Sequence, residues 1–207
     1  MKKQKKKEII LNSAIDLFAI NGYHNTKISD IAEKANIGKS TVYEYFSSKQ
    51  SILLEIFEVK IFQFYINLQD ILSEIDCAIE RLTKFMEYES KNVSSSSQMF
   101  FLVLDTFVNP KYFSSSNVYM CLHKSADLRF GIVKEIIEKG ISDGQFIETD
   151  PNMAASAILG TLHTYQMNVQ QKHLYLLRIE GKITNTPALS SEDIKEILNI
   201  LFYGIKK

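Results

Sequence analysis

Apolar residues recur every three to four positions along nearly the whole of this 207-residue chain. This spacing is typical of amphipathic helices, because side chains three and four residues apart lie on the same face. The chain has only three prolines and eight glycines, and no stretch alternates apolar and polar residues as a half-buried strand does. The pattern predicts an all-α protein of about nine helices.

Three helical patterns occupy the N-terminal part of the chain. The first helix is predicted over about 6–21, and Gly22 is placed to end it. The second helix begins after Thr26, which we expect to cap it, and ends at Asn36, which tolerates the left-handed conformation of a helix stop. A third helix opens at about Lys39.

The third helix has an apolar side and a polar side. Val42 and Phe46 lie four residues apart and point inward. The polar side and its flanks are rich in cationic and hydroxyl groups: Lys39, Ser40, Thr41, Tyr43, Glu44 and Tyr45. Two helices joined by a short turn, the second with a basic and hydroxylated N-terminal end, form the helix-turn-helix pattern that fits the major groove of DNA.

Residues 7–57 resemble the DNA-binding domain of TetR-type transcriptional regulators. The likeness rests on residues in a fixed order and spacing: Ala14, Phe18, Gly22, Tyr23, Thr26, Ile31, Ala32, Ala35, Ile37, Lys39, Thr41, Tyr43, Tyr45, Phe46 and Lys49. The sequence departs from the family at Asn36, where Gly is usual, and at Lys27, where Thr or Ser is common. The resemblance implies a three-helix DNA-binding domain over 1–48 and a larger helical domain over 49–207 that binds a ligand and dimerises.

The function implied by this resemblance is that of a ligand-responsive DNA-binding regulator. In most of the family it is a repressor, released from a palindromic DNA operator by a small and, here, largely apolar molecule. The alternative is a constitutive DNA-binding structural or co-activator protein of the same fold that has no inducer. We expect no enzyme activity, no cofactor and no metal, since the chain has no Gly-rich phosphate loop, no His-Glu-x-x-His motif and no evident nucleophile constellation.

The candidate DNA contacts divide into two groups. Base edges are expected to be read by Lys39, Ser40 and Thr41, and Glu44 can accept a hydrogen bond from a cytosine amino group. Phosphates are expected to be contacted by Thr26, Lys27, Tyr43, Tyr45 and Lys49. Net charge supports this location, because residues 1–50 hold nine Lys and five acidic residues, a net charge of +4, in a chain whose total is zero.

The apolar pattern continues through the larger domain. A fourth helix is predicted from near Lys49 toward Ile75, long enough to couple the two domains mechanically. Further helices are predicted over about 76–88, 99–108, 118–141, 151–171 and 191–205, the last with a capping box formed by Ser190 and Asp193. Residues 172–190 show no clean period and are not assigned.

Candidate ligand contacts in this domain are aromatic, charged or imidazole side chains. They are Phe100, Phe101, Asp105, Tyr119, His123, Arg129, His163 and Tyr165. Asp105 and Arg129 are a lone acid and a lone base on helices that look buried, so they line a pocket, form a structural ion pair, or reach solvent past their neighbours. The aromatic and histidine residues are ligand contacts or ordinary core residues.

The last two long helices are candidates for a homodimer interface. In proteins that this sequence resembles, the corresponding helices pair with those of a second subunit. The helix at 151–171 has a face of small residues and the helix at 191–205 an apolar stripe, although either surface could belong to the intramolecular core. A palindromic operator requires two reading heads and therefore a dimer.

The remaining composition places the protein in the cytoplasm. No apolar run is long enough to span a bilayer, and the Lys-rich N-terminus is not followed by a signal-peptide cleavage site. Cys77 and Cys121 are too few for a disulfide framework, and we expect two free thiols in the core.

Overall fold

The computed structural model describes residues 2–94, 98–99, 102–103, 116–180 and 189–203. Within these ranges it contains helices and no strand, so the all-α prediction is confirmed. The helices are α1 (Lys2–Asn21), α2 (Ile28–Lys34), α3 (Lys39–Tyr45), α4 (49–73), α5 (Ala78–Ser94), α6 (Ser116–Ser142), α7 (Pro151–Glu180) and α8 (Ser191–Tyr203). Most of the helix predicted over 99–108 lies outside the described residues.

The buried apolar residues form two clusters that share helix α4. The first cluster joins α1, α2, α3 and the start of α4, and it reaches Leu102 and the first turns of α6. The second joins the end of α4 to α5, α7, α8 and the C-terminal half of α6. Helix α4 changes between them from an α-helix (Lys49–Phe57) through a π-helical segment (Glu58–Phe62) back to an α-helix (Gln63–Ser73). One continuous helix therefore connects the two cores.

Several helix ends follow the sequence signals. Gly22 (φ 80°), Asn36 (φ 53°) and Gly144 (φ 69°) adopt the left-handed conformation at the ends of α1, α2 and α6. Ser190 and Asp193 form the predicted capping box, in which the Asp193 amide donates to the Ser190 hydroxyl at 3.0 Å. The predictions at Gly22, Asn36 and Ser190 are confirmed because each depends on residues only a few positions apart.

The predicted cap of α2 is wrong. Lys27 occupies the cap position, and its backbone N–H donates to the Asp30 carboxylate at 2.8 Å. Thr26 is 1 % exposed, and its hydroxyl instead donates to the carbonyls of Gly22 at 2.9 Å and Leu17 at 3.2 Å. The hydroxyl thus ties the start of α2 to the C-terminal end of α1.

Two helices extend beyond their predicted ends. Helix α5 continues from 88 to Ser94, and α7 continues from 171 to Glu180, because no Gly or Pro interrupts either stretch. The unassigned segment 172–190 is therefore helical up to Glu180, and residues 181–188 lie outside the described part.

Cys121 is buried as predicted, whereas Cys77 is exposed; both are free thiols. In the described chain no helix has the length and apolarity needed to cross a membrane.

The turn after α6 depends on a glycine whose position leaves no room for a side chain. The Gly140 carbonyl accepts hydrogen bonds from the backbone of Gln145 at 2.8 Å and Phe146 at 2.9 Å. A Cβ atom at Gly140 would overlap the Phe146 ring, which stacks on Phe202 with centroids 5.2 Å apart.

We therefore expect Gly140→Ala to lower the free energy of unfolding by about 1–3 kcal/mol, as overpacking does. Urea denaturation measures this change. Gly131→Ala in the same helix is the matched control, since nothing lies within 4 Å of its added Cβ. It should be neutral or stabilise by about 0.4–1 kcal/mol. Equal losses in the two variants would contradict this explanation.

Candidate nucleic-acid interface

Helix α3 presents one face to the first core and the opposite face to solvent. Val42 is fully buried and Phe46 is 4 % exposed, so the apolar side of α3 packs inward as predicted. Lys39, Ser40 and Glu44 are exposed, and Tyr43 is 49 % exposed. The Lys39 ammonium lies 6.0 Å from the centroid of the Tyr43 ring, which places a cation and a phenol on the same outer surface.

The other predicted DNA contacts differ in accessibility. Lys27 is exposed at the start of α2, whereas Thr41 is partly buried. Tyr45 is also partly buried and packs against the first core, and Thr26 is buried with its hydroxyl bonded to α1. Five of the predicted DNA contacts are thus exposed: Lys27, Lys39, Ser40, Tyr43 and Glu44. Thr26 has little exposed surface with which to contact a phosphate.

Lys49 has a structural role that the sequence pattern did not reveal. Its ammonium donates to the carbonyls of Tyr23 at 2.6 Å, Thr26 at 2.7 Å and His24 at 3.1 Å, and it lies 4.4 Å from the centroid of the Tyr23 ring. Burial lowers the pKa of this ammonium, and the nearby Asp30 carboxylate partly opposes the shift. Lys49 therefore ties the start of α4 to the loop between α1 and α2.

The Lys-rich N-terminus belongs to α1, whose helix begins at Lys2, before the predicted start at about residue 6. Lys7 bonds to Glu55 of α4 at 2.6 Å, and its ammonium lies 5.8 Å from the Phe46 ring centroid. Lys34 of α2 pairs with Asp16 of α1 at 3.1 Å. Lys3, Lys5 and Lys6 are exposed, so they extend the basic surface beside the helix-turn-helix.

Most of the predicted ligand contacts that the structure describes are exposed or only partly buried. Tyr119 and His123 are exposed on α6, where the His123 Nδ1 lies 2.9 Å from the Asp127 carboxylate. His163 is exposed, and Tyr165 is partly buried with its hydroxyl bonded to Asp193. Phe100, Phe101 and Asp105 lie outside the described residues.

Arg129 is partly buried, with 22 % of its side chain exposed, and it joins a network with the buried residues Glu89 and Tyr65. Glu89 is 3 % exposed, and one of its oxygens accepts from the Arg129 Nε at 2.8 Å and Nη2 at 2.7 Å. Its other oxygen accepts from the Tyr65 hydroxyl at 2.6 Å. Arg129 therefore pairs with Glu89 on α5. The structure does not describe Asp105, so it does not test a pairing between Asp105 and Arg129.

The network shifts the pKa values of its members. Burial raises the pKa of the Tyr65 hydroxyl well above its usual value, and the Glu89 carboxylate adds to the rise. Burial lowers the pKa of Arg129, but the attraction of Glu89 and Tyr65 and the hydrogen bonds to both together outweigh burial, and the pKa is raised. Sequence reasoning missed Glu89, although a signal existed. Glu89 continues the buried i, i+3, i+4, i+7 stripe of α5 that begins with Leu82 and includes Phe85 and Met86.

Comparison with known proteins agrees with this geometry. Residues 10–56 match the family described as bacterial regulatory proteins, tetR family. The chain is 28 % identical over 173 residues to the fatty acid metabolism regulator protein of Bacillus subtilis, covering 81 % of this chain and 87 % of that protein.

Two solved structures share the fold over nearly the whole chain. The fatty acid degradation regulator FadR from Bacillus halodurans has a TM-score of 0.73 at 21 % identity, over 97 % of this chain and 96 % of that one. The transcriptional regulator FadR from Bacillus subtilis in complex with stearoyl-CoA has a TM-score of 0.66 at 24 % identity, over 96 % and 99 %. At these identities the likeness establishes the fold.

Proposed function

Residues 10–56 match the tetR family of bacterial regulatory proteins, and from this premise we propose that the chain is a repressor that releases a palindromic operator when it binds a ligand. Residues 1–48 read DNA, and residues 49–207 bind the ligand and dimerise. The observation that carries the proposal is helix α4, which begins at the reading head and ends in the second core. A ligand that alters the second core can therefore pivot the head, provided that it binds the two conformations with different affinity.

In the reading head, the exposed face of α3 enters the major groove. Lys39, Ser40 and Thr41 read base edges, and Glu44 accepts from a cytosine amino group. Tyr43, Tyr45 and Lys27 contact phosphates and position the helix. Lys49 supports the head from inside through its three carbonyl partners.

The two roles on α3 predict different mutational results. Tyr43→Phe should weaken binding to all DNA sequences by a similar factor, because the hydroxyl contacts a phosphate. Ser40→Ala should change the preference among sequences at one base pair, where a lost contact is worth about 1–3 kcal/mol. Selection of bound DNA from a random pool measures both effects. The reverse assignment of the two outcomes would overturn these roles.

The dimer interface proposed on α7 and α8 is supported by which of their residues are exposed. On α7 an outer row combines Met153, 69 % exposed, with the small exposed residues Ala157, Gly160 and Thr164. This row lets another helix approach closely. The end of α8 adds exposed apolar residues, among them Tyr203 at 81 %. Light scattering at micromolar concentration should give the mass of a dimer, and a monomer mass would count against a palindromic operator.

The ligand that fits this proposal is a fatty acyl thioester of coenzyme A. One relative is a regulator of fatty acid metabolism, and a structural neighbour was solved in complex with stearoyl-CoA. Its acyl chain is the largely apolar part that we expect the larger domain to bind. The interior supports this chemistry, since the second core is built of Leu, Ile, Phe and Met side chains.

Operator release tests the proposal. A DNA palindrome selected from a random pool is labelled, bound to the protein, and titrated with stearoyl-CoA, with coenzyme A alone, or with a short-chain acyl-CoA. Release by stearoyl-CoA and not by coenzyme A alone is the expected result. DNA binding that none of these compounds alters would reject the ligand and favour the alternative, a constitutive DNA-binding structural or co-activator protein of this fold.

A further inference from the structure

Gln166 on α7 is a buried polar side chain with an unused donor. It is 6 % exposed, and its amide nitrogen Nε2 has no hydrogen-bond partner among the described residues. Most buried polar groups in proteins are hydrogen-bonded, because an unpaired donor keeps the full cost of its lost hydration. The donor therefore lacks an acceptor within the described chain, and an oxygen atom of a ligand would satisfy it.

The position of Gln166 along its helix brings it level with the buried ion pair. Helices α6 and α7 pack against each other and are joined by the turn at 143–150. Arg129 lies 13 residues before the end of α6 at Ser142, and Gln166 lies 15 residues after the start of α7 at Pro151. At a rise of 1.5 Å per residue, both lie roughly 20 Å from the turn, at nearly the same height in the helix pair.

This level is a layer of polar side chains at the end of the second core that lies nearer the first. On α6, Cys121 and Leu122 belong to the first core, whereas Leu128 and Phe130, on either side of Arg129, pack against the second core, to which Tyr65 of α4 also belongs. The Ser125 hydroxyl donates to the Cys121 carbonyl at 2.8 Å, so it is satisfied within its helix. The layer thus contains the Tyr65–Glu89–Arg129 network, whose members satisfy one another, and the unpaired amide of Gln166.

The charge of the layer limits the chemistry of the occupant. The Glu89 carboxylate and the Arg129 guanidinium neutralise each other at 2.7 Å, and the amide of Gln166 is neutral. No net positive charge favours an anion such as a free carboxylate. An uncharged oxygen acceptor attached to an apolar chain matches a neutral donor beside the apolar second core.

We propose that the amide of Gln166 binds the thioester carbonyl oxygen of an acyl-CoA, beside the Tyr65–Glu89–Arg129 network and with the acyl chain in an adjoining core. This inference rests on the proposed function and assigns a specificity-determining residue within it. The hydrogen bond from Gln166 would make the protein bind a thioester more tightly than a ligand of the same length and shape that lacks the carbonyl.

The experiment compares stearoyl-CoA with S-octadecyl-CoA, the thioether in which a methylene replaces the carbonyl. Isothermal titration calorimetry measures both ligands with the wild type, with Gln166→Met and with Gln171→Met, whose amide is exposed on the same helix. The wild type and Gln171→Met should bind the thioester about five- to tenfold more tightly than the thioether, the usual range for one buried hydrogen bond. Gln166→Met should bind the two ligands equally.

Three results would overturn the inference, and they identify which part fails. Equal binding of thioester and thioether by the wild type rejects the carbonyl contact and leaves the acyl-CoA proposal intact. A thioester preference that persists in Gln166→Met places the contact on another residue. Failure of the wild type to bind either ligand rejects acyl-CoA itself, and the Gln166 contact with it.

Discussion

Arg129→Met is expected to lower the free energy of unfolding by about 3–5 kcal/mol, the usual loss when one partner of a buried ion pair is removed. The variant leaves the Glu89 carboxylate, 3 % exposed, without the guanidinium that lies 2.7 Å from it. Tyr65 keeps its hydrogen bond to Glu89 but cannot neutralise the charge. Urea denaturation at one fixed protein concentration measures the loss, because the proposed dimer would make stability depend on concentration.

Two comparisons show whether the loss comes from the uncompensated charge. The double variant Glu89→Leu/Arg129→Met removes both charges and should be more stable than Arg129→Met alone. Lys134→Met breaks an exposed pair with Glu138, at 3.6 Å on the same helix, and should cost less than about 1 kcal/mol. If Arg129→Met costs no more than Lys134→Met, the buried network contributes no more than a surface pair.

The network connects three helices of the larger predicted domain. Tyr65 is on α4, Glu89 on α5 and Arg129 on α6, so three helices meet at two hydrogen-bonded oxygens. Tyr65 lies three residues after Phe62, the end of the π-helical segment of α4. π-Helical turns occur often at functional sites. A ligand beside the network is therefore placed close to the part of α4 that connects the two cores.

Much of the fold could be predicted because its signals are local. Helix ends at Gly22 and Asn36 and the cap at Ser190 each depend on residues within one or two turns, and all three were predicted correctly. The inward side of α3 was also predicted, since Val42 and Phe46 are spaced by four residues. The exposed face of α3 follows directly from that orientation.

The sequence did not reveal contacts between residues that are distant along the chain. Lys49 reaches carbonyls 23 to 26 residues away, and Arg129 reaches a carboxylate 40 residues away. No helical period connects such positions, so the sequence indicated neither the carbonyl partners of Lys49 nor the pairing of Arg129 with Glu89. Thr26 fits an N-cap by residue type, but burial directs its hydroxyl to α1. Tertiary packing overrides a local preference at each of these positions.

Lys49→Met should destabilise the protein by about 1.5–3 kcal/mol, the range for hydrogen bonds to a charged group, because three carbonyls of the α1–α2 loop lose their donor. Thermal and urea unfolding measure this loss. Lys39→Met is the matched control: Lys39 is exposed on α3, so its loss should weaken DNA binding and leave stability unchanged. If Lys49→Met weakened DNA binding without affecting stability, Lys49 would be a phosphate contact, and the loop would be held by other residues.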